Sequence, residues 1–205
     1  MADQVDTGIR AGFSIPWVYS QAQSLIGADR ARRTLIERYL GSLANADVID
    51  LGCGPGDIVP HLGARSYVGY DPSDAYITAA RRKHPSAEFH VAGVEHVAAR
   101  ETRTFQLAIA IGVVHHLDDA TATALFRTAR AVLAPGGRCV TIDPVFVAGQ
   151  RWIARTLARL DRGQHVRDVA SYTALARSAF DRVEVDQRGD LLRVPYDHLI
   201  ITCTV

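Results

Sequence analysis

The chain has 205 residues, 48% of them hydrophobic and 22% charged, with a formal net charge of +1. That length and apolar fraction suit one domain with a full core. A charge so near zero argues against a nucleic-acid binder held by bulk electrostatics. The three cysteines, Cys53, Cys139 and Cys203, are far apart and form no CxxC or metal-ligand spacing. They predict reduced thiols and no metal site. Residues Met1–Gln4 open no charged n-region followed by an apolar core, and no run approaches the roughly 18 apolar residues of a membrane span. The expectation is a cytoplasmic protein with neither signal peptide nor membrane partner.

In chain order, residues 1–15 are polar and aperiodic. Pro16 opens a short helix carrying Trp17 and Tyr19 and ending at Gly27. Ala28 to Leu40 predicts a clearer helix, with Leu35, Ile36, Tyr39 and Leu40 as its apolar stripe and Gly41 as its stop. Val48–Asp50 predicts a first strand, and Ile58, Val59 and Leu62 a helix after the glycines. Tyr67–Asp71 predicts a second strand, Pro72 to about His84 a helix, and Glu88–Val91 a third strand. Phe105–Ile111 is almost wholly apolar, as a central parallel strand should be. Asp119 to Leu133 predicts a helix ended by Pro135-Gly136-Gly137, and Arg138–Ile142 a fifth strand with Asp143 at its tip. Gln150–Leu160 and Ser171–Ala179 predict further helices, and Val183–Val194 and His198–Val205 the last strands. Strands alternating with helices at this spacing make a doubly wound α/β fold, a parallel sheet with helices on both faces.

The chemistry gathers at Asp50-Leu51-Gly52-Cys53-Gly54-Pro55-Gly56. An acid ends a buried strand, and three glycines follow at alternate positions, where backbone approaches a ligand closely. The dinucleotide fingerprint needs G-x-G-x-x-G, and the spacing here is G-x-G-x-G. Asp71 ends the next strand, where such folds place a ribose-binding carboxylate. An acid before the turn and a second on the neighbouring strand suit a ligand with an ammonium at one end and a ribose at the other. S-adenosylmethionine has both. Asp71 has a plainer reading as the cap of the following helix.

Four segments in order resemble the class I S-adenosylmethionine-dependent methyltransferases of small-molecule type. They are Asp50-x-Gly52-x-Gly54-x-Gly56, Gly69-x-Asp71, Ile111 to Asp119 with its His115-His116 pair, and Leu133-Ala134-Pro135-Gly136-Gly137. The resemblance implies a Rossmann-like seven-stranded sheet with the last strand antiparallel. It implies S-adenosyl-L-methionine as cofactor, its methionine part held at Gly52, Cys53 and Gly54, its ammonium at Asp50 and its ribose at Asp71 and Pro72. Val94 and Glu95 would lie near the adenine, and Ile111 and Gly112 near the methionine chain. The chain departs from the family at Val94, where Gly-Asp is common after strand three, and at Gln106, where strand four often begins with an acid. The Asn- or Asp-Pro-Pro-aromatic signature of base-methylating enzymes is absent.

His115 and His116 follow strand four, where a transferred methyl would point. Either serves as a base for a hydroxyl nucleophile, which favours oxygen as the acceptor atom, or only shapes the pocket. A metal site using both is disfavoured because adjacent residues point apart. Asp143 is the candidate to orient a histidine. Trp17, Tyr19, His116, Trp152 and His165 are the candidate substrate contacts. Arg151, Arg155 and Arg159 share one face of their helix, which is either a solvated face or part of a lid. Residues 1–205 thus read as one domain, with 1–43 a helical cover and 144–168 a lid-like insertion. The expected function is methyl transfer to a small molecule. Methylation of RNA or protein, a non-catalytic cofactor-binding subunit, and the choice between monomer and homodimer stay open.

Overall fold

The computed structural model describes residues 33–160, 163–192 and 194–205. Among these the strands are β1 (Asp47–Leu51), β2 (Ser66–Asp71), β3 (Glu88–Val91), β4 (Phe105–Ile111), β5 (Leu133–Phe146), β6 (Arg167–Asp168), β7 (Arg182–Arg188) and β8 (His198–Thr204). The α-helices are α1 (Val59–Leu62), α2 (Asp74–Lys83), α3 (Val94–Arg100), α4 (Asp119–Val132), α5 (Trp152–Leu160) and α6 (Val169–Arg177). A π-helical turn, Ile36–Leu40, precedes β1, and a 3-10 turn, Val114–His116, follows β4.

The sheet runs β3-β2-β1-β4-β5-β8-β7, with β6 paired to β5 off this path. β8 is antiparallel to both of its neighbours, and the other ladders are parallel. This is the seven-stranded sheet expected, its last strand antiparallel, plus one two-residue strand. The apolar runs explain the layering. Ile49, Leu51, Val68, Ala108 and Ala110 belong to one buried cluster, completed by Val97 of α3, Phe126 of α4 and Tyr172 of α6. Val48, Leu107, Ile109 and Val140 face the other way, toward Leu40, Leu62 of α1 and Ile77 of α2. Side chains alternate across a strand, so near-continuous apolar strands fill both faces.

Several boundaries differ from the sequence reading, each for a local reason. The glycine stop of the first described helix stands: Gly41 has φ 70° and its N–H reaches Ile36 O. Its last turn is π-helical rather than α-helical. β5 begins at Leu133 instead of Arg138, with a register shift that absorbs Pro135-Gly136-Gly137. It also runs past Asp143, because β8 pairs with it through Asp143↔Leu199 and Pro144↔His198. Asp143 therefore lies inside a strand, not at its tip. α6 starts at Val169, two residues early, because Asp168 caps it by accepting from Ser171 N at 2.8 Å. β7 stops at Arg188, before Gly189.

Candidate active site

The carboxyl ends of β1, β2, β4 and β5 form one rim. The strand order reverses direction between β1 and β4, so this is the topological switch point where such sheets hold ligands. The glycine turn leaves β1 with Gly52, Gly54 and Gly56 at φ 93°, 54° and 74°. Only glycine takes these values without strain. Gly52 also has no room for a side chain, because a Cβ there would lie 2.6 Å from Val113 Cγ2.

The turn spends its own N–H groups. Gly52 N and Cys53 N donate to Tyr70 O at 2.7 and 3.0 Å, Gly54 N donates to Asp71 Oδ2 at 2.9 Å, and Gly56 N donates to Cys53 O at 3.1 Å. Pro55 has none. A pyrophosphate cradle needs outward-pointing N–H groups, and this turn offers a carboxylate in their place.

That carboxylate is Asp50, 3% exposed. Its Oδ2 accepts from Tyr67 Oη at 2.7 Å, and its buried Oδ1 has no hydrogen-bond partner. Burial raises its pKa to about 7, against the opposing Tyr67 hydrogen bond and with a further upward push from Asp71. An orphaned buried acceptor is costly, so it marks a place for a donor. Tyr67 escaped the sequence reading. Its signal was its place on β2, two residues before Gly69, which stands opposite Asp50 in the ladder.

Asp71 is 8% exposed, and each of its oxygens takes one backbone N–H, Oδ2 from Gly54 and Oδ1 from Ser73 at 2.8 Å. Burial raises its pKa and these two bonds oppose the rise. Lone pairs remain on both oxygens. Asp71 does not cap α2. Ser73 does, accepting from Tyr76 N at 3.3 Å. Pro72 beside it is exposed. Cys53 is buried, its thiol pKa pushed up by burial and by Asp50 and Asp71, which leaves it a packing group.

Val94 and Glu95 form the first turn of α3. The Val94 side chain joins the core, and Glu95 is exposed beside His96 at 3.8 Å. Ile111 and Gly112 stand at the end of β4. Gly112 N donates to Ile142 O at 2.7 Å, tying the β4 and β5 exits together.

The histidine turn is the second half of the rim. His115 is 5% exposed, and its Nδ1 lies 2.8 Å from Asp143 Oδ1. The same oxygen accepts from His115 N at 3.1 Å, so one carboxylate fixes both ring and backbone. Burial raises the pKa of Asp143, and His115 lowers it. The second oxygen, Oδ2, is buried without a hydrogen-bond partner. His115 and His116 do not point apart as simple adjacency suggests. The 3-10 turn brings their ring centroids to 4.1 Å. Among the described residues no group of three or more His, Cys, Asp or Glu is placed to hold a metal.

Of the other candidates, His165 N donates to His115 O at 2.9 Å, which lays segment 163–168 against the histidine turn. Trp152, at the start of α5, is 76% exposed. Trp17 and Tyr19 lie outside the described residues. A cavity of about 260 Å³, unforeseen in the sequence, opens where β5 exits, with Gln150, Arg151, Gln187, Tyr196 and Asp197 among its lining residues. Asp197 O accepts from Val145 N at 3.0 Å, and Gln150 Nε2 donates to Val145 O at 3.1 Å, so both walls are fastened two residues beyond Asp143. No helix among the described residues is long and apolar enough to cross a membrane.

Residues 48–137 match the family model described as a methyltransferase domain. A ubiquinone biosynthesis O-methyltransferase of Xanthomonas oryzae pv. oryzae (strain PXO99A) is 30% identical over 132 residues, covering 57% of this chain and 54% of that protein. A trans-aconitate 2-methyltransferase of Methylobacterium nodulans is 36% identical over 106 residues, covering 49% of this chain and 38% of that protein. The chain thus spans about half or less of the length of these curated relatives. The fold is shared with the N-methyltransferase NodS from Bradyrhizobium japonicum WM9, solved with S-adenosyl-L-homocysteine. Its TM-score is 0.67 at 16% identity, over 89% of this chain and 90% of that one.

Proposed function

We propose that this chain is a class I S-adenosylmethionine-dependent methyltransferase that methylates a small molecule at oxygen, a reading supported by the match of residues 48–137 to the family model described as a methyltransferase domain. One observation carries the reading: two buried carboxylates with acceptor capacity to spare flank a glycine turn whose own N–H groups are already used. That donor set fits S-adenosylmethionine. The orphaned Asp50 Oδ1 would take its ammonium, and the remaining lone pairs of Asp71 would take the ribose hydroxyls. When bound, the cofactor supplies an electrophilic methyl group on a sulfonium leaving group.

The chain's own residues then have three tasks. Asp50, Asp71 and the turn orient the donor, and fixed orientation is the largest contribution a protein makes to a displacement of this kind. His115 accepts the proton of the acceptor hydroxyl, and Asp143 holds the ring in one tautomer and stabilises the imidazolium that forms. Segments 144–160 and 163–168, with α5 and β6, would cover the rim and exclude water. The acceptor would sit over His115 and His116, beside the cavity at the β5 exit. The name of one curated relative, an O-methyltransferase, supports an oxygen acceptor, and that of the other, a trans-aconitate 2-methyltransferase, supports a small molecule.

Calorimetry with S-adenosylhomocysteine, followed by its release from S-adenosylmethionine across a panel of phenols and small carboxylic acids that includes trans-aconitate, tests the proposal. The expected result is binding by the wild type and turnover with at least one acceptor. His115→Gln should retain the binding and lose about 10²- to 10⁴-fold in turnover, the usual contribution of a general base. Failure to bind S-adenosylhomocysteine overturns the cofactor assignment. Equal turnover by His115→Gln overturns the base.

A further inference from the structure

Arg167 bonds with every donor it has. Its Nε and Nη2 donate to Asp119 Oδ1 at 2.9 and 2.7 Å, Nη2 donates to Leu117 O at 2.7 Å, and Nη1 donates to Val114 O at 3.1 Å and His165 O at 2.9 Å. A guanidinium carries five N–H groups in a rigid planar fork, and each is matched by one of these bonds. The Arg167 side chain is 9% exposed, whereas Asp119 is 83% exposed. The carbonyls it binds come from two separate segments. Val114 and Leu117 bracket the turn that holds both histidines, and His165 belongs to the strap that crosses it. The guanidinium also lies over the Tyr172 ring, 5.6 Å from its centre.

The backbone of Arg167 is held as firmly as its side chain. It pairs with Val145 in the β5–β6 ladder, two residues beyond Asp143. The next residue, Asp168, caps α6. The strap therefore cannot shift without breaking either the ladder or the fork. Under it lies His115. A Cβ added at Gly163 would stand 2.0 Å from His115 Cδ2 and 2.5 Å from His115 O, so the strap passes the ring at a distance only glycine allows.

We propose that Arg167 is the positioning residue of the site, its guanidinium latching the strap 163–168 onto the turn 114–119 so that the His115 ring is clamped between Gly163 and Asp143. Arg167 acts through these carbonyls and touches neither reacting group. Its catalytic meaning rests on the methyl-transfer reading above, whereas the clamp on His115 stands without it.

The test uses the full chain labelled with ¹⁵N and follows the His115 ring nitrogens, assigned by their loss in His115→Gln. In the wild type the Nδ1 proton of His115 should exchange slowly with water. Arg167→Lys keeps the charge but offers three donors, and should speed that exchange about tenfold or more by letting the strap open locally. Asp119→Ala, at an exposed position where folding is safe, removes one acceptor and should speed it about threefold, and it decides the matter if Arg167→Lys does not fold. Both variants should bind S-adenosylhomocysteine within about twofold of wild type, since no bond of Arg167 reaches the glycine turn. Unchanged His115 exchange in the variants, with or without a fall in melting temperature, overturns the inference. A wild type that binds no S-adenosylhomocysteine defeats the methyl-transfer reading instead, and the exchange data still decide on the clamp.

Discussion

At the scale of single residues, Asp50 sets the behaviour of the rim. A carboxyl with a folded-state pKa of about 7 keeps its proton through a range where the unfolded chain, near the ordinary value of about 4, has lost it. Between those limits the native state binds more protons, so this residue's contribution makes stability fall as pH rises from about 4 to about 7 and levels off above. Asp50→Asn retains an acceptor for Tyr67 and removes the buried charge. It should melt higher than wild type at pH 8, with the gap closing toward pH 5, as read by thermal denaturation. Binding reverses the advantage. An ammonium at Oδ1 favours the ionised carboxylate, so the affinity of the wild type for S-adenosylhomocysteine should rise with pH up to about 7 as the bound complex releases a proton. Calorimetry in buffers of different ionisation enthalpy measures that proton directly. Asp50→Asn should bind more weakly and without the pH dependence, and an unchanged affinity in that variant would show that the ammonium lies elsewhere.

At the scale of elements, the parallel half of the fold was legible because each strand there is a short apolar run closed by an acid or glycine. β3 and β4 fall at their expected residues, and β1 and β2 extend theirs by one or two. What the sequence hides is tertiary. The length of β5 depends on a partner, β8, some sixty residues later in the chain, and the nearness of the two histidine rings depends on a 3-10 turn that no periodicity announces. The two buried acids beside the glycine turn were readable because they are local, two strand ends and one turn. The Asp143–His115 pair was readable only as two candidates, since their meeting needs the β4 and β5 exits side by side. Gly163 and Arg167 gave no signal, because a clamp is visible only once both of its jaws are in place. The glycine turn behaves as an element in its own right. Gly52→Ala would combine a φ of 93° with a 2.6 Å approach to Val113, and should destabilise the chain by about 1–3 kcal/mol or more. Ser73→Ala removes only the α2 cap and should cost about 1 kcal/mol. Denaturant unfolding of the two variants compares the effects.

At the scale of the whole molecule, the fold alone does not choose between a dinucleotide and S-adenosylmethionine, because both bind at the switch point of a doubly wound sheet and both present a ribose to an acid on β2. The choice is made by electrostatics at the turn. A pyrophosphate would meet backbone N–H groups already donated to Tyr70, Asp71 and Cys53, and would stand beside a buried carboxyl with an unpartnered oxygen. Repulsion and lost hydrogen bonds would act together against it. An ammonium in the same place gains a charge-assisted bond and relieves the orphaned acceptor. Ligand binding to the native state stabilises it by about 2.7 kcal/mol at a hundredfold excess over Kd. For a chain of this length that corresponds to a rise in melting temperature of roughly 5–10 °C. S-adenosylhomocysteine at such an excess should produce this rise, and NAD at the same concentration should produce none. Asp71→Ala, which removes the proposed ribose acceptor but leaves Asp50 intact, should abolish most of the shift. A comparable shift with NAD would mean that the turn's own hydrogen bonds open on binding, and that the carboxylate at its mouth does not govern what the sheet holds.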